Sequence, residues 1–249
     1  MKKLIAIALM LAVFASCAAL AEEEAKVLTH AEFIALPLED EAGQAIEQEV
    51  TVETYVQAKQ GWWDNKARIY TQAEDGAYFL YDMPLSQEEY DALVPGTKIR
   101  VHGYKSQWSG EVEIIDATYE ILEAEPFFAE AFDATALLGT DELIDHQNEL
   151  VSFKGGKVVA KKDVNGNDAA FLYNWDGSGA AGNNNDLYFD VEFNGATYTF
   201  TVESYLCAEG TDVYKAVEAL KVGDVIDMEG FLYWYDGANP HITSVKAAE

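Results

Sequence analysis

The sequence predicts a mostly β protein: two five-stranded Greek-key barrels in tandem. Each has a short helix before its fourth strand and a short helix ahead of its first. Three observations predict this. Proline is scarce, with 5 in 249 residues, while 14 tyrosines and 12 phenylalanines accompany strand-like alternation in both halves. The two halves show the same order of elements. A set of residues also recurs at a constant separation of 127: Leu93, Gly96, Ile99, Gly103, Gly110 and Ile115 become Leu220, Gly223, Ile226, Gly230, Gly237 and Ile242. Ungapped coincidence of this kind is the mark of an internal duplication.

The elements follow in order. Residues 29–35 form a helix capped by Thr29. Residues 49–58 alternate as a strand through Val50, Val52 and Val56. After a loop at 60–66, strands 67–72 and 77–83 make a hairpin turned at Asp75-Gly76. Ser86 with Glu89 three residues later is a capping box, which starts a helix over 86–94. Strands 97–105 and 111–119 complete the first half. Residues 123–132, with Pro126, form the junction, and residues 140–147 a second short helix. The second half has strand 150–160, a long loop 161–186 with an extra strand at 169–173, and a hairpin of 187–193 and 196–203 about Asn194-Gly195. A helix over 211–220 capped by Thr211 follows, then strands 224–233 and 241–246.

The beginning of the chain reads as an export leader. Lys2 and Lys3 precede an apolar run from Leu4 to Phe14, and Ala19-Leu20-Ala21 offers a small-x-small cleavage site. A second reading is a lipobox at Phe14-Ala15-Ser16-Cys17, which would lipidate Cys17. The run is too short to span a bilayer, which takes about 20 apolar residues. Either reading leaves Cys207 without an intrachain partner, as a small buried hydrophobe. The net charge is −28, and two units more negative without the leader. Such a charge repels polyanions and sets nucleic acid below other ligands as an expected partner.

Strand, strand, strand, helix, strand, strand is the order of the OB-fold. The chain resembles exported bacterial proteins with tandem OB-like domains. The residues carrying this are Val50-Thr51-Val52-Glu53, Asp75-Gly76-Ala77-Tyr78-Phe79 and the segment from Gly96 to Gly103. The resemblance covers residues 45–122 and 145–247. It implies a leader at 1–21 and OB-like domains at 22–125 and 126–249. Barrels of this type bind single-stranded nucleic acid or stand beside nucleases.

OB barrels take ligands on strands two and three and on the loops joining strands 1–2 and 4–5. Those loops hold all five tryptophans. Trp62, Trp63 and Trp108 lie in the first half, and Trp175, Trp234 and Tyr235 in the second. Aromatic faces can stack on a base or a sugar ring, or can seal the end of a barrel. Trp62 and Trp63 are adjacent, so in extended chain one ring faces outward. The expected function is a non-catalytic exported binding module for carbohydrate or peptide at the cell envelope. Single-stranded nucleic-acid binding, a nuclease accessory and a structural spacer are the alternatives.

Lys98, Arg100 and His102 alternate along a strand, with Lys105, Lys59, Lys66 and Arg68 expected nearby. Together they form a candidate basic patch, or else a solvated strand face. Asp163, Asn165 and Asp168 partly resemble a calcium loop. Asp168 stands where that loop requires glycine, however, and Asn174 where it requires glutamate. Asn165-Gly166 is equally a hairpin turn. No cofactor other than calcium is implied. There is no HExxH, Cys-x-x-Cys, G-x-S-x-G or phosphate loop, so no enzyme class is supported.

Overall fold

A computed structural model describes residues 25–248. The leader, its cleavage site and Cys17 lie outside these residues. Helix α1 (His30–Ala35) opens the described chain, followed by β1 (Gln48–Lys59), β2 (Lys66–Ala73), β3 (Gly76–Pro84), α2 (Gln87–Ala92), β4 (Lys98–Trp108) and β5 (Glu111–Ile121). The five strands close in the order β1-β2-β3-β5-β4. All pairings are antiparallel except β3 with β5, where Phe79 faces Glu113. The alternation read from sequence fills the interior with Val50, Val52, Val56, Ile69, Leu80, Ile99, Val101 and Ile114. The expected capping box forms at Ser86–Glu89, and the expected Thr29 cap is also a capping box, closed by Glu32.

The second half begins with β6 (Phe132–Asp133), then β7 (Leu150–Val159), β8 (Lys161–Lys162), β9 (Asp168–Ala169), β10 (Leu172–Tyr173), β11 (Leu187–Phe193) and β12 (Ala196–Val202). It ends with α3 (Asp212–Glu218), β13 (Val225–Phe231) and β14 (His241–Ala247). The strands β11-β12-β14-β13-β7 form a ring that the β11–β7 pairing closes, with β6 and β10 added outside it. Among the described residues no helix is long and apolar enough to cross a membrane.

The duplication has a visible physical content. Gly96 and Gly223 both have left-handed backbone, with φ of 89° and 100°. Each donates its N–H to a strand-one carbonyl at 2.8 Å, Gly96 to Val56 and Gly223 to Val158. The same two valines donate back, to Thr97 and Asp224. Gly103 and Gly230 sit where strands four and five shift register. A Cβ at Gly230 would strike the His241 carbonyl, and one at Gly103 would lie 2.8 Å from the Ile115 carbonyl. A side chain would therefore push apart the strands whose close approach closes each barrel.

The short helix expected at 140–147 is a 3-10 helix over Asp141–His146. Three local expectations differ. The extra strand expected at 169–173 divides into β9 and β10. Thr211 has cap geometry but its side chain makes no cap hydrogen bond; its carbonyl accepts from Lys215 N–H instead. Strand β4 extends through Trp108, which leaves Ser109-Gly110 as the turn in place of a loop over 106–110.

The barrels pack directly against each other. Tyr70 and Phe79 of the first meet Phe231 of the second in a shared apolar cluster. Tyr70 stacks on Phe231 at 4.5 Å between centroids and 12° between planes. Its hydroxyl lies 2.8 Å from His241 Nδ1. Burial depresses His241 to about 3, so the ring is neutral and able to share this hydrogen bond. Around the cluster, Leu150 N–H donates to Gln72 and Gln147 Nε2 donates to the Gly110 carbonyl. Gln147 Oε1 in turn accepts from Val112 N–H. The backbone of 110–112 is thus satisfied by side chains from the other barrel.

Candidate functional site

The β1–β2 connection is a tight turn. Trp63 and Lys66 exchange both backbone hydrogen bonds at 3.0 Å, and Asp64 and Asn65 between them have φ of 50° and 58°. Two consecutive left-handed residues make a turn that matches strand twist, and Asp and Asn tolerate that backbone. The turn divides the tryptophan pair. Trp62 is half-buried and its Nε1–H donates to the Leu85 carbonyl at 3.0 Å. Trp63 is 64% exposed.

Trp63 stands at one side of a groove whose other side comes from the second barrel. Gly61 N–H donates to the Tyr205 carbonyl at 2.7 Å, and the Tyr205 ring is 62% exposed. Gln60, Lys66 and Arg68 of the first barrel, with Asp82, complete the lining. Lys66 Nζ lies 5.2 Å from the Trp63 ring centroid. Lys66 and Arg68 pair with Asp82 at 2.6 and 2.9 Å, and the Arg68 guanidinium also lies over Tyr81. Burial opposes the Asp82 charge, yet its hydrogen bonds from Lys66 and Arg68 prevail and hold its pKa below the ordinary carboxylate range. Two cations therefore face one firmly ionised acid.

Two further carboxyls act on this charge. Burial raises Glu113 to about 7, with Arg68 pulling it down and Asp82 pushing it up. Burial and the Asp186 charge raise Glu203 to about 7, and Arg68 again acts in the opposite sense. Glu203 also caps the turn that presents Tyr205, accepting from Leu206 N–H at 2.8 Å.

The other aromatics fall elsewhere. Trp108 and Tyr235, both exposed, meet at 5.2 Å where Asp236 N–H donates to the Ser109 carbonyl. Trp234 is half-buried and packs over Gly110, so it is an anchor between barrels. Trp175 is the most exposed, in a turn closed by the Gly177 N–H to Asn174 carbonyl bond. The six candidates thus divide into two anchors, one exposed pair and two separated rings. The groove residue that the sequence does not single out is Tyr205, which packing between the barrels brings to Trp63. Cys207 itself is buried, and burial pushes its thiol up to about 11.

The basic patch is corrected by strand pairing. Strand β1 lies beside β4 with Thr51 opposite His102 and Glu53 opposite Arg100. Lys98 pairs with Glu53, Arg100 with Glu53 and Glu120, and His102 Nε2 approaches Glu49. Lys105 is buried and donates to the carbonyls of Phe33, Ile34 and Leu36. It ends α1 rather than presenting a charge. Alternation already places Lys105 with Ile99 and Val101 on the inward face.

The acidic loop is also spent locally. The Asp163 carboxylate accepts from Asn165 N–H and Asn167 N–H at 2.8 Å each, which makes the hairpin turn, and Asp168 pairs with Lys162. Among the described residues no group of three or more His, Cys, Asp or Glu side chains is placed to hold a metal ion.

No protein-family model matches the sequence, and no curated protein does. Solved structures do show low-identity similarity. A murine DNA-binding protein bound to double-stranded DNA is 12% identical over 80% of this chain and 96% of that one, with a TM-score of 0.38. The p202 HIN1 domain in complex with a 12-mer double-stranded DNA is 14% identical over 86% and 100%, at 0.34. A deletion mutant of the single-stranded DNA-binding protein from Thermus aquaticus is 12% identical over 82% and 95%, at 0.27. These neighbours are described by the DNA they bind, not by the carbohydrate or peptide ligand that was expected of this chain. The likeness is remote, and the chemistry open to this chain is read from its groove.

Proposed function

We propose that the chain is an exported, non-catalytic protein that holds a short stretch of single-stranded nucleic acid in the groove between its barrels. The observation that carries this is the pair of exposed rings, Trp63 and Tyr205, flanking Lys66 and Arg68 on the second strand of an OB-like barrel. A base stacked on one ring would have its phosphate within reach of the cations. The chain's charge of −28 limits the contact to a local one. With two cations available, the logarithmic salt slope should be no steeper than about −1.4, at roughly −0.7 per phosphate on a single strand.

The test is quenching of tryptophan emission by a short oligothymidylate at low salt. Trp63→Ala should weaken binding by about 5- to 150-fold, since stacking on a base is worth about 1–3 kcal/mol. Its thermal midpoint should stay that of the wild type, because the ring is exposed. No binding by the wild type, or equal binding by Trp63→Ala, sinks the reading.

Binding should also weaken as pH rises through about 7. Below that range Glu113 and Glu203 are neutral, and Lys66, Arg68 and Asp82 give the groove a net positive charge. Above it both carboxyls ionise beside Arg68 and the balance turns negative. Titrations at about pH 6 and pH 8 measure this, and the double variant Glu113→Gln, Glu203→Gln should lose the dependence.

A further inference from the structure

Gln60 directly follows β1 and forms, with Ala67, the floor of the groove. Both residues are 4% exposed, while Trp63 and Tyr205 at the sides are largely open. The Gln60 backbone is held at both ends. Its N–H donates to the Arg68 carbonyl at 2.9 Å, and its carbonyl accepts from the Tyr90 hydroxyl at 3.0 Å. Its side-chain amide makes no hydrogen bond among the described residues. The sealed side-chain atoms without a partner belong to Thr54, Glu111 and Asn148, so the Gln60 amide is not sealed but opens into the groove.

Other glutamines show how this protein uses such amides elsewhere. Gln57 Nε2 donates to the carbonyls of Tyr55, Gln72 and Phe127, and its Oε1 accepts from Ala129 N–H. Gln72 and Gln147 tie the two barrels together. Each fastens one segment to another, whereas the Gln60 amide fastens nothing. The fold does not call for an amide here either. The matching bonds of Val56 and Val158 align the first strands of the two barrels. In that alignment Gln60 corresponds to Lys162, which is exposed and paired with Asp168.

A primary amide sets a donor beside an acceptor in one plane, which matches the pairing edge of a base turned out of a single strand. In a pyrimidine, N3 and the group on C4 carry one donor and one acceptor, in opposite order in thymine and cytosine. The amide serves either base by turning over. The groove holds about 160 Å³. A cavity of about 150 Å³ takes benzene, so this space suits one six-membered ring. A pyrimidine has a single ring between its pairing edge and its sugar, which keeps its phosphate near Lys66 and Arg68. A purine has two rings there and carries its phosphate outward, away from them.

Resting on the single-strand reading above, we propose that Gln60 determines the specificity of the groove: its amide hydrogen-bonds the pairing edge of one pyrimidine base seated between Trp63 and Tyr205, and so selects pyrimidine over purine strands.

The test compares oligothymidylate, oligodeoxycytidylate and oligodeoxyadenylate of equal length on the mature chain, by tryptophan quenching at one low salt concentration. The pyrimidine strands should bind about 5- to 150-fold more tightly, the effect of two hydrogen bonds of ordinary net strength. Oligothymidylate methylated at N3 keeps its rings, sugars and phosphates but has its pairing edge blocked. On the wild type it should fall to the adenylate level. Gln60→Met keeps the length and packing of the side chain and removes both amide atoms. It should bind all four strands at that lower level and keep the thermal midpoint of the wild type. Quenching that ignores N3 methylation, a preference for adenylate, or a Gln60→Met chain that still separates the strands overturns the role of Gln60 and leaves the groove a single-strand site. A lowered midpoint in Gln60→Met marks a structural amide and also overturns it. The methylated strand decides on the wild type alone, whatever the variant's folding. Absence of quenching by every strand overturns the single-strand reading as well.

Discussion

Replacing Tyr70 with alanine should cost about 4–8 kcal/mol and split one unfolding transition into two. The ring is fully buried and stacks on Phe231 of the other barrel at 4.5 Å, with Phe79 at 4.8 Å on its own side. Truncating a buried aromatic to alanine costs about 3–5 kcal/mol through lost transfer energy and the cavity left behind. The change also strands His241 Nδ1, and an orphaned buried polar atom adds about 1–3 kcal/mol. Tyr70→Phe should lose only this second part, because it keeps the stack. Urea unfolding followed by tryptophan emission and far-ultraviolet dichroism would measure both. The two probes should coincide in the wild type and in Tyr70→Phe and diverge in Tyr70→Ala. Coincident probes in Tyr70→Ala would show that the barrels are coupled through other contacts.

Lys105→Met should destabilise by about 3 kcal/mol, with the loss concentrated in α1. The lysine stem lies in the core beside the Phe33 ring, its Nζ 5.0 Å from that centroid. Its three hydrogen bonds close the C-terminal carbonyls of a six-residue helix that has no basic residue of its own in its last turn. Hydrogen bonds from a charged donor contribute about 1.5–3 kcal/mol each, and the cost of burying the ammonium offsets part of that sum. Methionine keeps the packing and removes every donor. Amide exchange at residues 30–36 should accelerate far more than exchange in β1 or β4. Uniform acceleration would mean that Lys105 supports the barrel as a whole.

These residues also show what a sequence displays and what it hides. The repeat was legible because its members are constrained by backbone: Gly96 and Gly223 by their left-handed turn, Gly103 and Gly230 by strand approach. The capping box at Ser86 and Glu89 was legible because donor and acceptor lie three residues apart. The charge on β4 was left between a basic patch and a solvated strand face because its neutralising partners, Glu49 and Glu53, come from a strand about fifty residues away. Nothing local marks Arg100 as opposite Glu53. The groove was half legible for the same reason. Trp63 announces itself, while Tyr205 joins it through packing between the barrels. The inward position of Lys105 was available from alternation alone, but a lysine on a core face is rare enough to be read as an outward charge.

The contact between Trp108 and Tyr235, with Asp236 N–H on the Ser109 carbonyl, joins positions that the 127-residue offset makes equivalent. A surface that meets its own counterpart is the signature of two-fold pairing, as in a dimer of identical subunits. Along the rest of the junction the halves contribute unlike parts, with Glu111 answered by Trp234 and Asn148. The chain thus carries at one corner the geometry of a fused symmetric pair, and everywhere else the divergence that fusion permits, since each copy is free to specialise while the covalent link guarantees its companion.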